Sequence, residues 1–190
     1  MRAFLAITLP KRIKDKISAA QAALINAGAD VSWVRPENFH LTVMFLAELT
    51  QEQLSRVHGA VDEQTRARAR CALQWDRLGA FPSIEQPHII WAGASAEQAS
   101  ALVRLVEGVR SSVRALGVLD EDRPFVPHAT IGRVRSSKRL DMLRKSLLEE
   151  SERWQPAAPH TVESIDLYES RLSAQGPAYR LLWQSRLAFG

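Results

Sequence analysis

Cysteine is nearly absent from this chain. Among its 190 residues Cys71 is the single thiol, which excludes an internal disulfide and any multi-cysteine metal site and fits a reducing cytosol. Nothing in the pattern supplies a base to make it a nucleophile, so it reads as a small core residue. Long hydrophobic runs are lacking too. The opening stretch Met1 to Pro10 holds about eight apolar residues, too few for a membrane span, and its basic residues (Lys11, Arg12, Lys14, Lys16) follow it rather than precede it, unlike a signal peptide. There is no Gly-rich phosphate loop, no His-Glu-x-x-His and no nucleophile elbow. The histidines have no zinc-ligand spacing. No low-complexity segment or long linker divides the chain. The expectation is a cytoplasmic protein without membrane contact, metal or cofactor. A net charge of +4 and a pI near 9.6 permit an anionic partner.

The apolar spacing is that of a mixed α+β protein. Arg2 to Leu9, Val31 to Val34 and His40 to Leu46 read as strands. Helical spacing runs through Ile13, Ile17, Ala20 and Leu24 and stops at Gly28. Thr50 with Gln53 forms a capping box for a helix to about Arg68, and Ser95 with Gln98 forms another for a helix that ends near Gly117. Cys71 to Leu78 and Pro87 to Ala94 read as two strands joined by a loop over Gly79 to Gln86. Asp120 to Pro127 reads as a proline-punctuated loop and Ser137 to Glu150 as a helix. Thr161 to Tyr168 and Tyr179 to Phe189 read as strands around a turn at Ser173 to Pro177.

Two tetrapeptides stand out, His40-Leu41-Thr42-Val43 and His128-Ala129-Thr130-Ile131. In a strand, residues two apart share a face, so each motif presents a histidine and a hydroxyl together. Both follow a Pro-containing approach, and their histidines are 128 − 40 = 88 residues apart, close to half the chain. This faint repeat predicts two similar α+β lobes, each giving one strand to a shared cleft. Histidine gives and takes protons near neutral pH. Two of them on opposite walls suit in-line displacement at phosphorus, where attacking and leaving oxygens lie on opposite sides. The two Thr hydroxyls can donate to the non-bridging oxygens. His58, in an amphipathic helix, reads as a solvated surface residue; His88 begins an apolar strand and His160 follows Pro159 in a loop. None of the three is assigned chemistry.

The paired motifs resemble those of the two-histidine (2H) phosphoesterase superfamily, and within it the RNA 2′,3′-cyclic phosphodiesterases, also called the 2′-5′ RNA ligase family. The resemblance covers nearly the whole chain. Arg2-Ala3-Phe4-Leu5-Ala6-Ile7 matches the opening strand. Trp33-Val34-Arg35-Pro36-Glu37-Asn38-Phe39-His40-Leu41-Thr42-Val43 and Arg123-Pro124-Phe125-Val126-Pro127-His128-Ala129-Thr130-Ile131-Gly132-Arg133 match the two motifs with their lead-ins. Tyr168-Glu169-Ser170-Arg171-Leu172, then Gly176-Pro177-Ala178-Tyr179, resembles the C-terminal hairpin. Ala47 stands where many members have Gly, and Ala129 where Val is commoner, with its side chain away from the cleft.

The resemblance implies a single bilobal domain over residues 1–190, with two pseudo-symmetric lobes of antiparallel sheet and helices packed outside. It implies hydrolysis of RNA 2′,3′-cyclic phosphate ends, tRNA fragments among them, to 2′-phosphomonoesters by a monomer without cofactor. His40 would protonate the departing 3′ oxygen, His128 would accept from water, and Thr42 and Thr130 would hold the phosphate. The motifs alone leave the two histidine roles interchangeable. Run in reverse, the same site joins RNA ends through a 2′-5′ linkage. The alternatives are a small-nucleotide phosphodiesterase acting on ADP-ribose cyclic phosphates or 2′-5′ oligoadenylates, and a non-catalytic RNA-binding module. Arg133 is an odd number of residues from His128, which sends it to the opposite face unless the strand bends there. Arg133, Arg135, Lys138 and Arg139 could steer an RNA backbone or be a solvated basic face. Phe45, Trp33, Phe125 and Tyr168 are candidates for base stacking, each also suited to the core.

Overall fold

The structure is a computed structural model that describes residues 2–46, 48–118, 123–173 and 176–189. Ala47, the first residues of the Asp120–Pro127 loop and the tip of the Ser173–Pro177 turn lie outside the described residues. Two four-stranded antiparallel sheets make up the frame. The first has the order β10-β9-β1-β3, from β1 (Ala3–Thr8), β3 (His40–Leu46), β9 (Ser164–Ser173) and β10 (Gly176–Arg186). The second has the order β2-β7-β6-β5, from β2 (Val31–Trp33), β5 (Arg77–Pro82), β6 (Pro87–Gly93) and β7 (His128–Val134). A short ribbon pairs β4 (Cys71–Leu73) with β8 (His160–Val162).

Among the described residues four α-helices cover the outside. Helix α1 (Lys11–Ile25) packs with α4 (Leu140–Arg153) on the second sheet's side, and α2 (Gln51–Arg66) packs with α3 (Ser100–Arg114) on the first. Each has an apolar stripe at helical spacing. On α3 it is Leu102, Leu105, Val106, Val109 and Val113, all buried, which fixes the face that meets α2. The Thr50–Gln53 capping box forms with both bonds, at 2.8 and 3.2 Å. Among the described residues no helix is long and apolar enough to cross a membrane.

Several expectations are corrected. The sheets do not divide by half-chain: β2, β5 and β6 from the first half join β7 in the second sheet, and β9 and β10 return from the C-terminal end to complete the first. The Cys71–Leu78 run splits into β4 and β5, because the buried Trp75 and the Asp76 carboxylate, which accepts from Ser95 N at 2.7 Å, turn the chain between two sheets. The first half of the Gly79–Gln86 loop, Gly79 to Pro82, is strand, and only 83–86 turn. Gly79 serves close approach rather than a turn, since a Cβ there would lie 3.0 Å from the Trp91 ring. Thr161–Tyr168 divides at Glu163, with β8 in the ribbon and β9 in the first sheet. Ser95 accepts from Gln98 N at 3.4 Å but closes a turn; α3 begins at Ser100 with Ala99 as its N-cap.

Candidate active site

The two tetrapeptides open β3 and β7, and these two strands pack against each other where the sheets meet. Their burial runs in parallel through six positions. Leu41, Val43 and Met44 are buried on β3, as are Ala129, Ile131 and Gly132 on β7, while both His and both Thr are half-buried and Phe45 and Arg133 are exposed. The apolar side chains are driven into the core and the polar pair is left at the cleft.

Both strands carry a β-bulge just after the Thr. On β3 the pairing steps from Ala6–Thr42 to Leu5–Met44 and skips Val43. On β7 it steps from Trp91–Thr130 to Ile90–Gly132 and skips Ile131. An extra residue resets the alternation of faces. Arg133 pairs with Ile89, two residues from Trp91, and so lies on the face of Thr130. The exception attached to the odd spacing of Arg133 is therefore the case: the strand bends there. By the same step Phe45, paired with Phe4, joins the face of Thr42. Among the described residues no carboxylate pairs with Arg133.

The bulge on β7 has dedicated support. The Ile131 carbonyl accepts from Val34 N at 2.8 Å and from Gln21 Nε2 at 3.0 Å, and Gln21 Nε2 also donates to Val34 O at 2.7 Å. Gln21 is buried on α1. Gly132 has no room for a side chain, since a Cβ would meet Val31 at 2.7 Å and Trp33 at 2.8 Å.

Each histidine is held in one tautomer by its own lead-in. His40 Nδ1 lies 2.7 Å from Asn38 O, and His128 Nδ1 lies 2.7 Å from Val126 O. A carbonyl only accepts, so Nδ1 donates in both and the Nε2 lone pair of the neutral ring is left for other partners. His40 Nε2 is 3.0 Å from Thr42 Oγ1, which donates to it in that state. Among the described residues no protein group bonds His128 Nε2 or the Thr130 hydroxyl. Burial holds both imidazoles below the usual histidine range, against the pull of their carbonyl acceptors. The charge of Arg133 lowers both further, and Lys14 and His128 add to the effect on His40.

The lead-ins are themselves anchored by helix cations. Lys14 on α1 donates to Glu37 O at 2.7 Å, holding the 3-10 turn Pro36–Asn38. Arg110 on α3 donates to Arg123 O at 2.9 Å. Asn38 Nδ2 also donates to Pro177 O at 2.9 Å, tying this turn to β10.

The aromatic candidates part ways. Trp33 and Phe125 are partly buried against the core. Tyr168 stacks on Phe4 at 5.6 Å, and its hydroxyl lies 2.6 Å from Thr8 Oγ1. Phe45 is 57% exposed on the cleft face. Tyr179, not singled out from the sequence, has its ring 5.3 Å from His40 and 4.9 Å from Phe4. Phe81 and Trp91 flank His128 at 5.0 and 6.4 Å. Arg135, Lys138 and Arg139 are exposed beyond the strand end. The other histidines lie elsewhere. His58 is not simply solvated but stacks on Trp183 at 4.2 Å, and His88 is exposed. His160 is buried in β8 rather than in a loop, accepts from Trp75 Nε1 at 2.8 Å, and is pushed by burial down to about 4.

No feature of the chain read alone points directly to Lys14 or Tyr179. Gln21 does leave a sign: it is a polar residue four places after Ile17 on the apolar stripe of α1.

Comparison with known proteins agrees with this duplicated arrangement. The sequence model of the LigT-like phosphoesterase family matches the chain twice, over residues 7–91 and 93–179, one motif in each match. An RNA 2′,3′-cyclic phosphodiesterase of Thermotoga maritima is 30% identical over 190 residues, covering 100% of this chain and 97% of that protein. One of Methanocaldococcus jannaschii is 31% identical over 184 residues, covering 96% and 98%. A crystal structure from Thermus thermophilus superposes with a TM-score of 0.72 at 28% identity over 98% of both chains. Escherichia coli LigT, complexed with 3′-AMP, shares the fold with a TM-score of 0.76 at 22% identity, over 98% of this chain and 97% of that one. The chain belongs to the LigT-like phosphoesterase family.

Proposed function

We propose that this protein hydrolyses RNA 2′,3′-cyclic phosphate ends to 2′-phosphomonoesters without a metal, within one bilobal unit. The observation that carries the reading is the pair of His-x-Thr strands, packed together, each with Nδ1 committed to a backbone carbonyl, so that Nε2 faces either no protein partner, as on His128 among the described residues, or only the Thr42 hydroxyl, as on His40. The names of the full-length relatives from Thermotoga maritima and Methanocaldococcus jannaschii support the choice of substrate.

The cyclic phosphate sits between the two histidines. His128, neutral, takes a proton from water as it attacks phosphorus, and the P–O3′ bond breaks on the opposite side. His40, protonated, gives its Nε2 proton to the departing 3′ oxygen. Charge on the non-bridging oxygens is met by the Thr42 and Thr130 hydroxyls and by Arg133, the cleft cation without a carboxylate partner among the described residues. Binding the anion raises both imidazole pKa values, which offsets the lowering by burial and lets His40 hold its proton. With the 5′-hydroxyl of a second RNA end in place of water, the same attack forms a 2′-5′ bond; excess water favours hydrolysis. Phe45 is placed to meet a base, whereas Tyr168 is occupied by Phe4 and Thr8 and supports the floor beneath.

The test is turnover of an oligonucleotide with a 2′,3′-cyclic phosphate end in excess EDTA, with the product isomer identified. A 2′-phosphate that disappears in both His40→Ala and His128→Ala supports the mechanism. Full turnover in either variant, or dependence on added metal, overturns it.

A further inference from the structure

Among the described residues His128 is hydrogen-bonded at one nitrogen only. Its Nδ1 donates to Val126 O, and neither Nε2 nor the Thr130 hydroxyl meets a protein partner. His40 is held at both nitrogens, by Asn38 O and by Thr42 Oγ1. The ring torsion of a histidine is soft, so a ring tied at one nitrogen still tilts about that bond. The direction of Nε2 on His128 then depends on what the ring touches.

Those neighbours come from the second sheet. Gly79 and Phe81 on β5, Trp91 on β6 and His128 on β7 share the cleft face, since Leu78 and Ala80 alternate into the core. Phe81 meets the His128 ring edge to face at 5.0 Å, with the planes at 89°, and Trp91 lies 6.4 Å from it. Phe81 packs in turn on Trp91, at 5.0 Å. Trp91 has room to lie across β5 because Gly79 carries no side chain: a Cβ there would be 3.0 Å from Cζ2 and 3.3 Å from Cη2 of the indole. The Trp91 N–H is buried with no acceptor among the described residues. Leaving a buried donor unpaired costs free energy, so the ring is kept for its packing rather than for a hydrogen bond. Gly79, Trp91 and Phe81 form a column that runs from bare backbone up to the imidazole.

We propose that Phe81, carried by Trp91 over Gly79, is the positioning residue for His128: it sets the tilt that aims Nε2 at the phosphate and keeps water off the ring. This rests on the cyclic phosphodiesterase reading above, in which His128 is the base. A reacting group displaced by about 1 Å loses up to about 100-fold in rate. Burial is the first cause of the lowered His128 pKa, so opening the ring to water raises it. Among the described residues the ionisable groups on its face of the cleft are Arg133 on its own strand, His40 on β3 and Arg77 on β5, which pairs with Gly93 as His128 does. On β2 there is none, and His88 of β6 alternates to the other face. A substitution at Phe81 changes none of these charges.

The test titrates the Cε1 protons of His40 and His128 by NMR in the substrate-free protein, assigned from His40→Ala and His128→Ala, and measures kcat on the oligonucleotide with a 2′,3′-cyclic phosphate end. Phe81→Ala is expected to raise the His128 midpoint and leave that of His40 in place, and to lower kcat by about 10- to 100-fold with little change in KM. The acidic limb of the pH profile then moves to higher pH, because the base must be neutral to act. Phe81→Leu, which refills most of the space, should return the midpoint toward wild type. Gly79→Ala removes no contact to His128 but displaces Trp91, and should lower kcat as well. A Phe81→Ala protein that is less stable in urea, yet keeps the wild-type His128 titration and kcat, overturns the proposal. An equal rise at both histidines overturns it too, since that is general loosening. Absence of wild-type turnover, with the His128 midpoint still raised selectively in Phe81→Ala, overturns the phosphodiesterase reading and supports the seat.

Discussion

The two halves of the cleft share a backbone and differ in what surrounds it. Each half has a strand that opens with His-x-Thr, a bulge after the Thr, and a lead-in carbonyl that fixes Nδ1. Aromatic rings flank both imidazoles, Phe4 and Tyr179 at His40 and Phe81 and Trp91 at His128. At His40 a Thr hydroxyl is already bonded to Nε2 and β3 is an edge strand. At His128 Thr130 is unbonded among the described residues, Arg133 lies on the same face, and β2 covers the outer side of β7. A duplicated backbone sets where the two imidazoles sit. The side chains packed on it give the two different surroundings, because burial, nearby charge and hydrogen bonding act on each imidazole separately.

The largest expected effects remove a half outright. His40→Ala and His128→Ala should each lower kcat by about 10²- to 10⁴-fold, the range for one general acid or base. The double variant should be little worse than either single one, since the two act in one step. Steady-state rates with the cyclic phosphate substrate check both points, and a multiplicative loss would mean that the halves act independently.

Arg133 is the strongest asymmetric element. Arg133→Met should lower kcat/KM by about 10- to 100-fold, the scale of a lost charge-assisted hydrogen bond. Both imidazoles are held low by burial first, so the kcat/KM profile of the free enzyme should be a bell centred below the ordinary histidine range. The Arg133 charge lowers both pKa values, and its removal should therefore move both limbs to higher pH. A shift of one limb alone would place Arg133 in only one half.

Gln21 supports the bulge that turns Arg133 toward the cleft. Gln21→Leu keeps the volume but leaves the Val34 carbonyl without its side-chain donor and the Ile131 carbonyl with one donor fewer. It should cost about 1–3 kcal/mol in urea unfolding. If Thr130 and Arg133 shift with the bulge, kcat/KM falls further in this variant than in a surface control of equal stability.

The smallest effect is the sharpest for telling the halves apart. The Lys14 charge lowers the His40 pKa and has no counterpart acting on His128. Lys14→Met should raise the His40 pKa alone. With His40 as the acid, its deprotonation is the alkaline limb, so that limb moves up and the bell widens while the acidic limb stays. Movement of the acidic limb instead would exchange the two roles.

Much of this site is legible in short-range pattern. Alternation places His40 with Thr42 and His128 with Thr130, because a strand's period is two and one face of each must be buried. The helices declare themselves by their apolar stripes, and the Thr50–Gln53 box by chemistry confined to four residues. The pattern fails where spacing is interrupted or shared between distant segments. Arg133 changes face through a bulge whose support comes from Gln21 and Val34, about a hundred residues away in the chain. Gly79 looks like a turn residue until Trp91 is seen lying across it.

By itself, the sequence determined the two half-sites, their lead-ins and the family, since each of these is written in contiguous residues. The tertiary structure alone decided which strands share a sheet, that Arg133 and Phe45 turn to the cleft, that Tyr179 reaches His40, and that Lys14 bears on one histidine and not the other. Those outcomes depend on pairing register and on charge and burial between segments far apart in the chain, and such terms exist only once the chain has closed on itself.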